Sequence, residues 1–297
     1  MALGTNHQTT TTAATFIPEL WSDETIAAYK SNLVVANLVT RLNHKGKKGD
    51  SVHIPKPIRG AANAKADATQ VVLNGGTATE ANISIDKHYE YSVMIEDITE
   101  VQSLSSLRKF YTDDAGFALA KQVDTDLFTA GQALNGGSFL QGSGAAWSSG
   151  TAADITDAGI RAMILTLDNE DVPMDGRALV IPPVAASDLL GISRFTEQQF
   201  IGSGDAIKTG KIGQIYGVDV YITTNCPTCT GTAGGDSTDR AGVLLHKDAL
   251  VLAEQVGVRS QTQYKQEYLG DLFTSDTIYG VAELRNDAAV AFVVPGT

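Results

Sequence analysis

Residues 83–95 have the sequence ISIDKHYEYSVMI, and their hydrophobic pattern decides the fold that we predict. Isoleucine, tyrosine or valine occupies every odd position from Ile83 to Ile95, with Lys87 as the exception. Alternation with a period of two is typical of a β-strand that covers one face and exposes the other. We therefore predict a long strand here.

The hydrophobic period changes directly after this strand. Across residues 99–134 apolar side chains recur three or four positions apart, which predicts a helix. Asp97 or Thr99 is suited to cap its start, and the sequence Asn135-Gly136-Gly137 to end it. Such a helix spans about 50 Å, roughly three times the average length of a globular helix.

Upstream of the strand the chain predicts a β-hairpin over about residues 45–95. Ser51–Pro55 alternates like a strand, Val71–Leu73 is a second short strand, and Asn74-Gly75-Gly76 is a turn. The far end of this hairpin holds small polar residues. A two-stranded ribbon is marginal in water by itself, so we expect something else to support it.

The hairpin is flanked by positive charge on an otherwise acidic chain. Residues 41–60 carry six basic residues and a single acidic one, Asp50. The six basic residues are Arg41, Lys45, Lys47, Lys48, Lys56 and Arg59. A cluster of this kind is suited to nucleic acid or to a protein surface, and we favour a protein contact because it lies on a projecting hairpin.

The remaining segments predict a mixed α+β protein. The first fifteen residues contain six threonines and no charge, so they form either a disordered tail or an arm that orders on a neighbouring molecule. A helix is predicted to follow from about Pro18 to Lys30. The later elements are helices at 155–168, 184–190 and 247–254, and strands at 177–181, 216–222, 243–245, 256–264, 277–284 and 288–294, with loops at 138–153, 196–209 and 223–240.

Composition excludes several classes of protein. The chain has 297 residues, 43% of them hydrophobic and 19% charged, which excludes global disorder. Because the net charge is −12, we do not expect the protein to bind duplex DNA with its whole surface. No apolar run approaches the roughly 20 residues that cross a bilayer, and residues 1–10 lack the features of a secretory signal. The expected compartment is therefore the cytoplasm of the cell that makes it.

Catalytic motifs are scarce in this sequence. The five histidines are scattered without the spacing of metal ligands, and no nucleophile elbow occurs. The segment Gly204–Lys211 only faintly resembles a phosphate loop, because Ile212 stands where a serine or threonine would bind magnesium. We expect the acidic pairs Asp113-Asp114 and Asp124-x-Asp126 to lie on a solvated helix face. We predict no enzyme, no cofactor and no metal site.

Cys226-Pro227-Thr228-Cys229 is the one motif with reactive potential. The glycine-rich sequence after it will not form the helix that activates a redox CxxC pair, and no second pair completes a zinc site. Three alternatives stay open: two loop thiols without a catalytic role, a disulfide that tightens the loop or links subunits, and a metal shared between subunits.

Five stretches in a fixed order resemble tailed-bacteriophage major capsid proteins. They are Phe16–Ser22, Lys48–Pro55, Gly213–Tyr221, Ala241–His246 and Tyr279–Val290. The resemblance covers nearly the whole chain. It implies the Hong Kong-type capsid fold, with an N-terminal arm at 1–40, an extended loop at 41–97, a peripheral domain with a spine helix at 98–175, an axial domain at 176–254 and a return to the peripheral domain at 255–297.

The resemblance also implies function and partners. Copies of the chain would form hexamers and pentamers of an icosahedral shell around double-stranded DNA, without sequence-specific contact and without a membrane. A portal protein is a further partner implied, together with a separate scaffolding protein or none, and a decoration protein is an optional partner. Some relatives form covalent crosslinks between subunits; Lys56 and Lys65 are suited to this, but no partner asparagine is evident and we predict none.

Candidate subunit contacts are therefore Lys45, Lys47, Lys48, Lys56, Arg59 and Lys65. Two other functions remain as alternatives. An encapsulin-type compartment would have the same fold and carry enzyme cargo. A cytoplasmic α/β enzyme is disfavoured because no constellation of acid–base, metal or phosphate-binding residues is present.

Overall fold

The computed structural model describes residues 34–44, 49–56, 60, 62–71, 73, 79–102, 107–147, 152–192, 213–229 and 238–296. The predicted arm and its helix, up to residue 33, and the predicted loop at 196–209 lie outside these ranges. The described helices are α1 Val35–Leu38, α2 Asp97–Gln102, α3 Leu107–Ala133, α4 Asp157–Asn169 and α5 Pro183–Gly191.

Thirteen described strands form the rest of the fold. They are β1 Thr40–Asn43, β2 Ser51–Lys56, β3 Thr79–Ser84, β4 Lys87–Glu96, β5 Phe139–Gln141, β6 Ala146–Trp147, β7 Arg177–Ile181, β8 Gln214–Ile215, β9 Val218–Ile222, β10 Arg240–His246, β11 Leu250–Lys265, β12 Gly270–Glu283 and β13 Ala289–Val294. The predicted α+β class is confirmed.

The strands make three sheets. One sheet has four strands in the order β1-β11-β12-β4, and a second has seven in the order β6-β5-β13-β10-β7-β9-β8. The strands β2 and β3 pair only with each other, and we call this pair the ribbon. The three helices α3, α4 and α5 cover the two larger sheets, as the buried clusters below describe.

The single strand predicted over residues 83–95 is divided in the structure, because Ile83 belongs to β3 and β4 begins at Lys87. The partner predicted for β4 was also wrong. Lys87–Glu96 runs antiparallel to β12, with Val93 opposite Phe273. The ribbon instead joins β2 to β3, with Val52 opposite Ile83. A single hairpin over 45–95 therefore does not form, because β4 finds on β12 a long partner that buries its hydrophobic face against α3. Val71 and Leu73 belong to no strand.

The predicted helix at 247–254 was also wrong. Leu250–Lys265 is one continuous strand of 16 residues. Its first residues are good helix formers, yet Val251 and Leu252 are fully or almost fully buried between β1 and β12. Burial on both faces of the sheet outweighs the intrinsic helix propensity of this segment. The alternation predicted at 256–264 is correct, and it forms the second half of the same strand.

The long helix is confirmed in its main part. The helix α3 has 27 residues, which at 1.5 Å per residue gives about 40 Å. Its buried side chains, Leu127 and Phe128, share one cluster with Val180 and Val243 of the seven-stranded sheet and with Tyr279 of the four-stranded sheet. The helix thus bridges the two large sheets. Residues 103–106, between α2 and α3, lie outside the described part.

A second cluster covers the other face of the seven-stranded sheet. Met163 and Leu167 of α4 and Leu189 of α5 pack on it together with Leu179 and Phe292. The strands β7 and β13 are buried along their whole length, in agreement with the predicted strands at 177–181 and 288–294. Helices on both faces explain why these strands are continuous apolar runs.

Candidate assembly surfaces

The ribbon is supported by its own chain at the base. Ile83 of β3 and Ile85 form a buried cluster with Val251 and Ala253 of β11. The ribbon register runs without a bulge from Ser51 opposite Ser84 to Lys56 opposite Thr79. The sequence predicts that something else supports the ribbon, and at the base this support comes from β11 of the same chain. The apolar contact comes from Ile83 and Ile85, which lie two positions apart in the chain.

Beyond the base, the ribbon leads into a loop that contacts solvent throughout. We call residues 60, 62–71 and 73 the ribbon loop; all of them are exposed. Val71 is 63% and Leu73 is 89% exposed, although both are apolar. The amide and the hydroxyl of Thr69 both donate to the carbonyl of Ala66, which closes a short turn in this loop. Exposed apolar side chains of this kind are typical of an interaction surface.

The predicted contact residues divide between described and undescribed positions. Lys65 is exposed in the ribbon loop, and Lys56 is half-buried at the end of β2. Lys56 lines a cavity of about 620 Å³ together with Glu170, Arg285 and Asp287. Positions Lys45, Lys47, Lys48 and Arg59 lie outside the described residues. Of the six lysine and arginine candidates, the described residues include Lys56 and Lys65, and the role of all six stays a prediction.

The ribbon also carries one exposed ion pair. His53 Nδ1 lies 3.3 Å from Glu80 Oε1, and both side chains are more than half exposed. Exposed pairs contribute little stability, typically below about 1 kcal/mol. This pair therefore orients the two strands and does not hold the ribbon by itself.

Asp124 is a functional residue that the sequence prediction missed. It was expected on a solvated face, yet it is fully buried in α3. One carboxylate oxygen accepts from the Ala36 amide at 3.2 Å, and the other accepts from Asn225 Nδ2 at 3.2 Å. Burial raises the pKa of Asp124, and the hydrogen bonds oppose this. The residue ties α1 and the loop after β9 to the long helix.

Asp126 forms a second junction on the same helix. Its Oδ2 accepts from the Tyr279 hydroxyl at 2.7 Å and lies 3.3 Å from Lys87 Nζ. Gln122 Nε2 donates to Oδ1 at 3.1 Å. Burial is the largest cause that raises the pKa of Tyr279, followed by the hydrogen bond to Asp126. The expectation of a solvated side chain was wrong here too, because β4 and β12 both reach this position.

The sequence did contain a signal for Asp124. It lies seven positions after Phe117 and three and four positions before Leu127 and Phe128, so it falls within the apolar stripe of the helix. A charged residue in such a stripe needs buried hydrogen-bond donors. Asn225 supplies one of them from about a hundred residues away, which explains why only the structure identifies the partner.

The four-stranded sheet carries a charged triad on its exposed face. Arg259 makes two hydrogen bonds to Asp276, with Nε–Oδ1 at 2.7 Å and Nη2–Oδ2 at 2.8 Å. His88 Nε2 lies 3.1 Å from Asp276 Oδ2. The hydrogen bonds from Arg259 are the main cause that lowers the pKa of Asp276. The triad joins three strands, β4, β12 and β11.

The strand β1 pairs with only the first part of the outer edge of β11. The strand β1 pairs with it only from Thr40 opposite Val251 to Asn43 opposite Glu254. Among the described residues, no strand pairs with the outer edge from Val256 to Lys265. Every residue from Val258 to Tyr264 is exposed, so both faces of this half of the strand contact solvent.

The two cysteines are buried and form no disulfide with each other. Cys226 and Cys229 precede β10, where the amide of Cys229 donates to the carbonyl of Asp239. Burial is the main cause that raises the pKa of Cys226 to about 12, so its thiol is protonated at neutral pH. A protonated buried thiol is a poor nucleophile. The role of the pair stays a prediction, with the three alternatives open.

Two further findings concern ligands and membranes. In the described ranges, no three His, Cys, Asp or Glu side chains are grouped closely enough to hold a metal ion. Among the described residues, no helix combines the length and the apolar character that a membrane span requires.

Comparisons with known proteins agree with the geometry. A family model described as phage capsid protein matches residues 91–292. No curated protein sequence matches the chain. Among solved structures, a chain from Mycobacterium phage Che8 is 24% identical with a TM-score of 0.73, covering 93% of this chain and 97% of that one. The capsid of cyanophage P-SCSP1u is 20% identical with a TM-score of 0.77, covering 99% and 97%.

A third structure extends the range of sequence divergence. The acid-stable capsid of Helicobacter pylori bacteriophage KHP30 is 11% identical with a TM-score of 0.74, covering 98% of this chain and 100% of that one. At such low identity the likeness concerns the fold alone. The Hong Kong-type fold implied by the sequence motifs is confirmed.

Proposed function

The chain belongs to the phage capsid protein family and is a major capsid protein of a bacteriophage virion, and from this premise we propose how it builds the shell. Copies assemble as hexamers and pentamers into an icosahedral container for double-stranded DNA. The observation that carries the proposal is the ribbon loop, which is exposed throughout although it includes Val71 and Leu73. A neighbouring copy would cover these side chains on assembly.

The domains that we propose keep the boundaries predicted from the sequence. We propose an arm at 1–40, an extended loop at 41–97, a peripheral domain at 98–175 and 255–297, and an axial domain at 176–254. The helix α3, the strand β12 and most of β11 fall in the peripheral ranges. The elements β7, α5, β8, β9 and β10 fall in the axial range, and the seven-stranded sheet is completed by β5, β6 and β13 from the peripheral ranges. Asp124 lies where these parts meet.

The contacts between copies are partly electrostatic. We propose that Lys45, Lys47, Lys48, Lys56, Arg59 and Lys65 contact acidic surfaces of neighbouring subunits. The chain has a net charge of −12, so most surfaces that the extended loop meets are acidic. Such contacts speed assembly and weaken as salt rises. We further propose that Lys56 and Lys65 form no covalent crosslink and that Cys226 and Cys229 stay reduced.

Further partners follow from the role of a shell. A portal protein, a separate scaffolding protein and a decoration protein would bind the shell, and assembly would take place in the host cytoplasm. The packaged DNA would be held without sequence-specific contact and without a membrane, because a net negative container does not retain the genome by attraction. The chain would act as a structural protein and not as an enzyme.

Expression of the chain tests this function. Closed particles with icosahedral symmetry in electron micrographs, and a sedimentation coefficient far above that of a monomer, are the expected results. Virions purified from infected cells should contain DNA together with this chain as the major protein. A small oligomer of uniform size would contradict the proposal. Particles that enclose an enzyme and no genome would favour the encapsulin-type alternative.

A further inference from the structure

The short helix α1 depends on a carboxylate from another helix at its N-terminal end. Asp124 of α3 accepts from the Ala36 amide at 3.2 Å. Burial raises the pKa of Asp124, while hydrogen bonds from Asn225 and from the amides of Ala36, Val35 and Val34 lower it. The first amides of a helix have no partner within the helix, so α1 needs this acceptor. Asp124 is fully buried, and water therefore does not make up for its loss.

The C-terminal end of α1 is held by an arginine. Arg41 Nε donates to the Ala36 carbonyl at 2.8 Å, and Arg41 Nη2 donates to Asn37 Oδ1 at 2.9 Å. The amide of Thr40 donates to the Lys247 carbonyl at 3.0 Å, which fixes the chain after the helix to the turn between β10 and β11. We call residues 34–41 the arm root, because the proposed arm precedes and includes most of them. The arm root is fastened at both ends of α1.

The same carboxylate also reaches a segment of the proposed axial domain. The second oxygen of Asp124 accepts from Asn225 Nδ2 at 3.2 Å, and the Asn225 amide donates to Thr223 Oγ1 at 3.1 Å. The next residue, Cys226, belongs to the same buried cluster as Val35 of α1. We call residues 223–226 the axial segment. Asp124 is thus a shared acceptor, with one oxygen for the arm root and the other for the axial segment.

We propose that Asp124 couples the arm root to the axial segment, so that loosening of either one loosens the other. The inference rests on the proposed function, which assigns the two parts to the arm and to the axial domain. A neighbouring copy that holds the arm would keep α1 in place and thereby keep the axial segment closed. Coupling of this kind is reciprocal, so closure of the axial segment also steadies the arm root. The two states of the switch are α1 fastened and α1 released.

The two cysteines are built-in reporters of this coupling. Both thiols are buried, and they lie three positions apart in the chain. Cys226 shares its cluster with Val35, whereas Cys229 belongs to a separate cluster with Phe139. A buried thiol reacts with a maleimide only when its surroundings open, so the labelling rate measures local opening. Mass spectrometry of the peptides gives the rate for each thiol, and Cys229 is the internal reference.

Arg41→Gln in the unassembled subunit tests the coupling, because it loosens the end of α1 that the axial segment does not contact. We expect labelling of Cys226 to become about 5-fold faster or more, with little change at Cys229. In an Asp124→Asn background the same change should add nothing further. The carboxamide has a single acceptor oxygen in place of two, so it cannot serve both partners. Asn225→Ala breaks the same link from the other side and replaces Asp124→Asn if that variant does not fold.

The matched control is Arg161→Gln, which removes an exposed arginine that pairs with Asp157 within α4. It should leave both labelling rates unchanged. An unchanged rate at Cys226 in Arg41→Gln would overturn the inference, and so would equal acceleration at both thiols, which indicates general loosening. A double variant whose acceleration is the product of the two single effects would show that the sites are independent, which also overturns it.

Assembled particles separate this inference from the proposed function. Assembly should slow the labelling of Cys226 relative to Cys229 in the wild type, and this slowing should disappear in Asn225→Ala particles. Slowing that persists in Asn225→Ala would show that a neighbouring copy covers the thiol directly, and the coupling would be wrong while the shell function stands. If wild-type chains form no particles in electron micrographs, the shell function is contradicted, and labelling of the free subunit still decides the coupling.

Discussion

Single residues hold distant parts of this chain together. Asp124 connects α1 to the loop after β9, and Asp126 connects β4 to β12, both from the same helix. Buried carboxylates are costly unless donors satisfy them. Because both residues lie at junctions between elements, we expect a substitution at either position in α3 to alter the packing of both large sheets.

Replacement of Asp124 by alanine should destabilise the subunit. The Ala36 amide and the Asn225 side chain would lose their acceptor, and a lost hydrogen bond to a charged group costs about 1.5–3 kcal/mol. Urea unfolding of the unassembled subunit, followed by circular dichroism, measures the loss. Asn225→Ala is the matched variant and should cost less, since it removes only one of the donors. An unchanged midpoint for Asp124→Ala would contradict the role of the junction.

The triad around Asp276 should make stability depend on pH. Its pKa is lowered chiefly by Arg259, so the folded state binds the proton more weakly than the unfolded state does. The resulting stability is present above the unfolded pKa, about 4, and is lost as pH falls through the lower folded value. The wild type should therefore lose more stability between pH 6 and about pH 3 than Arg259→Gln does.

Urea midpoints of both proteins across this pH range check the prediction. Arg259→Gln removes the charge and leaves a shorter, polar side chain. Parallel curves for the two proteins would show that this carboxylate does not contribute to acid sensitivity. The variant Glu80→Gln, which breaks the exposed pair with His53, serves as control and should follow the wild type.

Among the elements, the ribbon depends on one close backbone approach. Gly280 of β12 lies under the end of β3, where an added Cβ would come within 2.2 Å of the Ser84 carbonyl oxygen. Backbone atoms cannot move aside as a flexible side chain does. The two-stranded ribbon therefore leaves the four-stranded sheet at a point that only glycine permits.

Gly280→Ala should destabilise the subunit by about 1–3 kcal/mol, the range for overpacking, and should loosen the ribbon. Limited proteolysis of the ribbon loop together with urea unfolding measures both effects. Gly116→Ala is the contrasting change, because nothing lies within 4 Å of its added Cβ in the helix. It should stabilise the subunit by about 0.5–1 kcal/mol. Equal effects of the two changes would contradict this account.

The sequence predicted elements best where one local pattern determines them. Period-two alternation identified β4, and apolar spacing identified most of α3. It failed at Leu250–Ala253, because helix-forming residues there are buried between two strands from distant parts of the chain. The partner of β4 was wrong for the same reason, since β12 lies about 180 residues further on. Lysine contacts between copies were predicted from charge alone, and a single chain cannot test them.

At the scale of the whole molecule, the acidic surface and the basic extended loop are complementary. The net charge is −12, yet residues 41–60 carry an excess of positive charge. Copies with this distribution attract each other at the loop and repel each other elsewhere. Assembly should therefore be directional and sensitive to ionic strength.

Reversal of Lys45, Lys47 and Lys48 to glutamate should leave the subunit folded and impair assembly. Circular dichroism should be unchanged, while light scattering should show fewer particles and a weaker dependence on salt. A triple variant at Lys121, Lys247 and Arg285 changes the total charge equally at exposed sites outside the extended loop. This control should assemble better than the loop variant. Loss of the circular dichroism signal in the loop variant would place the lysines in the folding core.

The position of β13 has a consequence for biosynthesis. This strand lies between β5 and β10 in its sheet, although every other strand of that sheet precedes it in the chain. While the ribosome is still translating, β10 has only one of its two neighbours, and the sheet stays open along its middle. The subunit can thus reach its final shape only after Ala289–Val294 has emerged from the exit tunnel. We therefore expect a growing chain to become competent for assembly only once this last strand has been added.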